Sequence, residues 1–157
     1  MREKKFLAIV LCLALVQAAV APSLKFFGVA PDLLLICVVI ASLKMERSFA
    51  FLAAVSCGLL KDAFGIAGFG VYTFLYPSAF LVLLQISRTL VIDTAILTSA
   101  AVFCLSLALA GAERIVLGYL GFRIPVFVFL KIAVLQAAYT AVVVPLIGRL
   151  INRVARV

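Results

Sequence analysis

Two adjacent charged residues and several glycines interrupt an otherwise apolar segment of this chain. Gly58, Lys61 and Asp62 are followed closely by Gly65 and Gly70. Charged groups and strained backbone are costly inside a bilayer, so they are retained where neighbouring helices or a function compensate for them. We therefore expect this segment to organise the structure or to bind a partner.

Asp62 has three alternative interpretations. It would cap a chain reversal through Gly65, pair with a cation from another helix, or face a partner or ligand. A carboxylate in the last turn of a helix opposes the helix dipole, and near the bilayer centre it costs about 2.5 to 3.5 kcal/mol. A pair with Lys61 is disfavoured because consecutive side chains on a helix point in different directions. The glycines, Gly70 among them, allow a tight turn.

A second acidic residue, Asp32, directly follows Pro31. Proline suits the first turn of a helix, and a carboxylate near the positive end of the dipole contributes about 0.3 to 1 kcal/mol. The pair thus predicts a helix start, whereas Lys61 is expected at a helix end with its ammonium extended outward. The candidates for structural or partner-binding roles are Pro31, Asp32, Gly58, Asp62, Gly65 and Gly70.

Side chains suited to catalysis or metal binding are scarce. The chain has no histidine and only six acidic residues, and each of its four cysteines stands alone in an apolar run. Acid-base and metal chemistry need several convergent groups. We predict a protein that is not an enzyme and has no cofactor, zinc site or redox site.

Composition predicts an integral membrane protein. The chain of 157 residues is 68% hydrophobic and 13% charged, with a mean hydropathy of +1.36, whereas globular proteins carry about 25% charge. We expect one transmembrane domain over residues 1–157, an all-α bundle of six helices, or five if the N-terminal segment is cleaved as a signal peptide.

The expected spans cover about residues 6–21, 29–43, 49–62, 69–87, 91–111 and 125–148, with residues 112–124 as an outer loop or interfacial helix. The second span is short, so its start should lie below the outer surface. Small residues four apart predict helix contacts. They form three stripes: Ala50, Ala54 and Gly58; Ala100, Cys104 and Ala108; and Ala133, Ala137 and Ala141.

The net charge of +8 is interpreted as topology and not as a sign of nucleic-acid binding. In the six-span arrangement, nine of the 14 basic residues fall on the side that holds both termini. The positive-inside rule then places both termini in the cytoplasm. The basic tail between Arg149 and Arg156 is expected to contact anionic lipid headgroups.

Pro31-Asp32, the segment from Gly58 to Asp62, and Gly70-Val71-Tyr72 occur in an order and spacing that resembles the rod-shape-determining protein MreD family. The resemblance extends along the whole chain, although Lys61 occupies a place that is usually apolar in that family. It implies a subunit of the bacterial inner membrane that supports lateral peptidoglycan synthesis without performing it. It further implies binding to MreC and, through MreC, to MreB, RodA and a penicillin-binding transpeptidase.

The competing interpretation is the substrate-binding component of an energy-coupling-factor vitamin transporter. Such components also have six spans and carry an AxxxA face in the first helix, as Ala14 and Ala18 do here. A vitamin site requires several convergent polar or aromatic groups. The candidates for it are Lys25, Asp32, Asp62, Tyr72 and Tyr76.

Overall fold

The structure, a computed structural model, describes residues 10, 12, 15, 29–64, 70–89, 94–119, 121 and 125–156. Five α-helices account for most of these residues: α1 (Leu33–Lys44), α2 (Arg47–Phe64), α3 (Val71–Thr89), α4 (Ala95–Tyr119) and α5 (Val126–Arg156). They correspond to the second to sixth predicted spans. The first predicted span, residues 6–21, lies outside the described residues except for helical positions 10, 12 and 15.

Helix α1 is the centre of the bundle. It contacts each of the other four helices, and every residue from Leu34 to Ala41 is buried. A helix that is apolar on all faces is stable where protein or lipid surrounds it on every side. The apolar sequence of α1 is compatible with its central position, and the contacts of Asp32 with three other helices hold it there.

The other helices bury one face each, and they pack as two consecutive pairs, α2 with α3 and α4 with α5. On α5 the buried positions alternate three and four residues apart, which is the spacing of one helix face. They are Ala133, Ala137, Thr140, Val144 and Ile147. Large apolar side chains cover the opposite faces, including Phe74 on α3 and Phe127 on α5, each 80% exposed. Such exposed apolar surface suits contact with lipid.

Within the part of the chain that the structure describes, two helical segments are long and apolar enough to cross a membrane, Ile96–Tyr119 and Val126–Arg149. Each has 24 residues, or about 36 Å of helix against a hydrocarbon core of about 30 Å. By contrast, α1 has 12 residues and a length of about 18 Å. The all-helical architecture is consistent with a helical membrane protein.

Helix α4 corrects one boundary in the sequence prediction. Residues 112–119, expected in an outer loop or interfacial helix, continue α4 without interruption. Glu113 lines a cavity inside the bundle, and the Arg114 guanidinium lies 5.0 Å from the centre of the Phe129 ring on α5. Because both charges have partners within the bundle, the helix does not need to end before them. The described turn follows at Gly121, where φ is +87°.

The small-residue stripes differ in their outcome. Ala50 and Ala54 on α2 are fully buried, as the first stripe predicted, and Ala133 and Ala137 on α5 are buried as well. In contrast, Ala100, Cys104 and Ala108 are exposed or half-exposed on α4. The prediction of a contact within the chain is wrong for this stripe. The buried face of α4 is formed instead by Val102, Leu105 and Ser106.

Candidate functional site: a buried polar cluster at one end of the bundle

Asp32 is the N-cap residue of α1 and is only 4% exposed. Its Oδ1 accepts a hydrogen bond of 3.2 Å from the Leu35 amide, which satisfies one of the free N–H groups at a helix start. Pro31, also buried, precedes the cap, so it lies just outside the first turn and not within it. The sequence correctly predicts a helix start here, and α1 begins at Leu33.

Three other helices also bind Asp32. The ammonium of Lys61 on α2 forms an ion pair with Oδ2. The hydroxyl of Tyr76 on α3 lies 2.8 and 2.9 Å from the two carboxylate oxygens. The Asp32 amide donates a 3.0 Å hydrogen bond to Oγ1 of Thr140 on α5. One residue thus connects the start of α1 to three separate helices, and its buried charge is compensated.

Lys61 lies inside the bundle, and the prediction that it extends outward is wrong. Its side chain is 15% exposed, and Nζ lies 4.0 Å from the centre of the Tyr72 ring and 5.3 Å from that of Tyr76. The two rings meet edge to face at 5.8 Å. A carboxylate and two aromatic rings together provide an ammonium with both an ion pair and cation–π attraction, which outweighs the benefit of reaching water.

Asp62 binds the start of the following helix. Its Oδ1 accepts from the Tyr72 amide at 2.9 Å, and its Oδ2 accepts from the Gly70 and Thr73 amides and the Thr73 hydroxyl at 2.6 to 3.0 Å. The carboxylate opposes the dipole of α2 but neutralises the free N–H groups of α3. Of the three interpretations of Asp62, this geometry matches the capping of the chain reversal.

Glycine is needed at positions 58 and 70 for different structural reasons. A Cβ added at Gly58 would lie 2.5 Å from the Tyr72 carbonyl oxygen and 2.8 Å from the Thr73 Cα, so only glycine allows α2 and α3 to approach this closely. Gly70 has φ of +108°, a conformation that favours glycine, and its amide donates to Asp62. Gly65 lies outside the described residues.

A cavity of about 20 Å³ adjoins the Asp32–Lys61 pair. This volume accommodates about one water molecule. Its wall brings together residues of all five helices, at the end where α1, α3 and α5 begin and where α2 and α4 end. The polar residues of the wall are Asp32, Lys61, Tyr72, Tyr76, Ser106, Glu113 and Gln136, and we call these residues together with Thr140 the polar cluster.

Sequence reasoning missed several members of the polar cluster. Ser106 and Thr140, 7% and 0% exposed, are isolated polar residues in apolar helices, and such residues often form hydrogen bonds between helices. That signal was present in the sequence. Glu113 was assigned to a surface segment, but it faces the cavity and interacts with the Tyr72 side chain.

One of three comparisons with known proteins agrees with the resemblance noted from the motifs. No curated protein matches the chain, and no solved structure matches it. The family model described as rod shape-determining protein MreD matches residues 3–154. This match covers nearly the entire chain of 157 residues. The chain therefore belongs to the rod shape-determining protein MreD family.

Proposed function

We propose that this chain is a non-enzymatic scaffold of the bacterial inner membrane that spans the bilayer with six helices and has both termini in the cytoplasm. In this proposal it binds MreC and, through it, takes part with MreB, RodA and a penicillin-binding transpeptidase in lateral peptidoglycan synthesis. Its membership of a family that determines rod shape supports the general role.

The observation that carries the scaffold proposal is the use of the two buried carboxylates. Asp32 and Asp62 are each engaged by several groups from neighbouring helices. A carboxylate that acts as a base or nucleophile needs a free oxygen facing a substrate. These carboxylates instead fix the positions of α1 and α3, which is the role expected in a rigid scaffold.

The exposed surface supports a role in contacts within the membrane. Large apolar side chains cover the outer faces of α3, α4 and α5. Between the apolar regions of two membrane helices, packing depends on shape more than on the hydrophobic effect. A stable bundle that presents a fixed apolar surface is suited to receive the single transmembrane helix of MreC.

The vitamin-carrier alternative has less support. The structure does bring Asp32, Tyr72 and Tyr76 together, as a binding site would require, and adds Lys61 and Glu113. However, the cavity between them has a volume of about 20 Å³, whereas small-molecule sites occupy about 300 to 1,000 Å³. Lys61 fills the space that a ligand would need.

The test is co-purification of MreC with the tagged chain from membranes, combined with cell shape in a rod-shaped host that lacks its own copy. Gly58→Leu forces α2 and α3 apart, and Asp62→Ala removes the cap of α3. Both should lower the recovered MreC or the abundance of the chain, and the cells should become round. Gly118→Leu is the control, because a Cβ added at Gly118 has no atom of another helix within 4 Å.

Normal MreC recovery, abundance and cell shape in both Gly58→Leu and Asp62→Ala would contradict the proposal. Co-purification of an ATPase pair in place of MreC would favour the vitamin-carrier alternative. Quantifying the chain in each membrane fraction separates a loss of binding from a loss of folded protein.

A further inference from the structure

We propose that Asp32, Tyr72 and Tyr76 form a binding site for a primary alkylammonium group, which the chain's own Lys61 occupies. We call these three residues the ammonium cage. The inference does not depend on the proposed partners. It goes beyond a simple ion pair because it predicts selectivity for the chemical form of the cation.

The first argument is the geometry around Nζ of Lys61. The ammonium pairs with the Asp32 carboxylate and lies 4.0 and 5.3 Å from the centres of the Tyr72 and Tyr76 rings. A carboxylate accepts the N–H bonds of an ammonium, and the ring faces attract its positive charge. Sodium and quaternary ammonium ions have no N–H groups. They therefore cannot donate hydrogen bonds to the carboxylate.

The second argument is that groups other than Lys61 hold the ammonium cage in place. Asp32 is fixed by the Leu35 amide, by Thr140 and by the Tyr76 hydroxyl. The backbone of Tyr72 is held by its amide hydrogen bond to Asp62. Because these interactions do not involve Lys61, the ammonium cage should keep its shape when the lysine side chain is shortened.

The third argument concerns charge and space. Asp32 and Glu113 both line the cavity, and Lys61 is the only cation among the described residues of its wall. Without the lysine these described wall residues would include two acidic side chains and no basic one, which favours the entry of a cation. Lys61→Ala removes three carbons and the ammonium, and these atoms correspond to propylammonium. That space is added to the existing cavity of about 20 Å³.

The experiment is chemical rescue of the full chain in mild detergent, followed by thermal unfolding. Lys61→Ala leaves a buried carboxylate unpaired and should lower Tm by about 5 to 10 °C. Millimolar propylammonium should recover about half of this loss or more. Sodium, tetramethylammonium and propanol at the same concentrations should recover little, and none of the four should change the Tm of the unsubstituted chain.

Two further variants identify the residues responsible. When Lys61→Ala is combined with Asp32→Asn, propylammonium should no longer raise Tm. When Lys61→Ala is combined with Tyr72→Leu, the same recovery of Tm should need a several-fold higher propylammonium concentration. Lys61→Met is also destabilised, but its side chain still fills the site, so propylammonium should not rescue it.

Equal rescue by sodium or propanol, or no rescue by propylammonium, would overturn the proposal. If Lys61→Ala is recovered only as aggregate, the readout becomes the monodisperse fraction after solubilisation with each compound present. Propylammonium should raise this fraction more than sodium does. An equal fraction with both would also overturn the proposal.

Discussion

Lys61 and Asp32 form an ion pair between the end of α2 and the start of α1, across 29 positions of sequence. Both side chains are largely buried, at 15% and 5% exposure. Removing one member of such a pair leaves the other as an uncompensated charge, which costs more than the intact pair contributes. The stability of the bundle therefore depends on the presence of both charged residues, although they are distant in sequence.

A double-mutant cycle measures this coupling. Lys61→Met should lower the free energy of unfolding by about 3 to 5 kcal/mol, because it leaves the Asp32 carboxylate buried and unpaired. Lys61→Met with Asp32→Asn should cost less than the two single changes combined, with a coupling of about 0.5 to 3 kcal/mol. Titration with a denaturing detergent gives the energies. Lys131→Met, on an exposed part of α5, is the matched control, and strict additivity would contradict the prediction.

Graded changes at Asp62 test its role as the cap of α3. Asp62→Ala removes the acceptor of four hydrogen bonds and should cost about 2 to 4 kcal/mol of unfolding free energy. Asp62→Asn retains one acceptor oxygen and should cost less. Thr73→Val removes one hydroxyl donor and should cost about 1 kcal/mol. A different order of Tm values among the three variants would show that Asp62 does not act through α3.

Two glycine substitutions of the same kind separate close helix packing from helix propensity. Gly58→Ala places a methyl group 2.5 Å from the backbone of α3 and should cost about 1 to 3 kcal/mol. Gly111→Ala on α4 adds a methyl group that has no atom of another helix within 4 Å, so it should be neutral or stabilising by up to about 1 kcal/mol. Thermal unfolding of the purified chain compares them. Equal effects would show that the approach of α2 to α3 does not depend on Gly58.

Tyr76→Phe isolates one hydrogen bond of the polar cluster. The change removes the hydroxyl that donates to Asp32 and keeps the ring beside Lys61, so we expect a loss of about 1.5 to 3 kcal/mol for a bond to a charged group. Tyr119→Phe serves as the control, since Tyr119 is 89% exposed. A Tyr76→Phe variant as stable as this control would show that the carboxylate is compensated without the hydroxyl.

Local signals in the sequence predicted the features that depend on neighbouring residues. A proline and an aspartate side by side identified the start of α1, and the spacing of Ala50, Ala54 and Gly58 identified a close contact of α2. The family resemblance, carried by short motifs in order, is confirmed by the match over residues 3–154. The two structural signals each lie within a few residues of the feature that they predict.

The polar cluster could not be predicted in this way, because its members are far apart in sequence. Asp32 and Thr140 are separated by 108 positions, and neither residue type identifies the other as its partner. Lys61 was expected outside because a flexible cationic side chain commonly reaches water, and only the arrangement of Asp32, Tyr72 and Tyr76 reverses that preference. The exposed stripe on α4 failed for a related reason: the spacing of small residues does not indicate which face points inward.

The short, enclosed helix α1 has a consequence for biogenesis. A segment of 12 residues that begins with an acidic residue is a poor substrate for independent insertion by the translocon. Its charge is compensated by groups on α2 and α3, and the Asp32 amide is bound by Thr140 on α5, the last of the five described helices to be synthesised. We therefore expect the final placement of α1 to be a late step, completed only after α5 has joined the other helices.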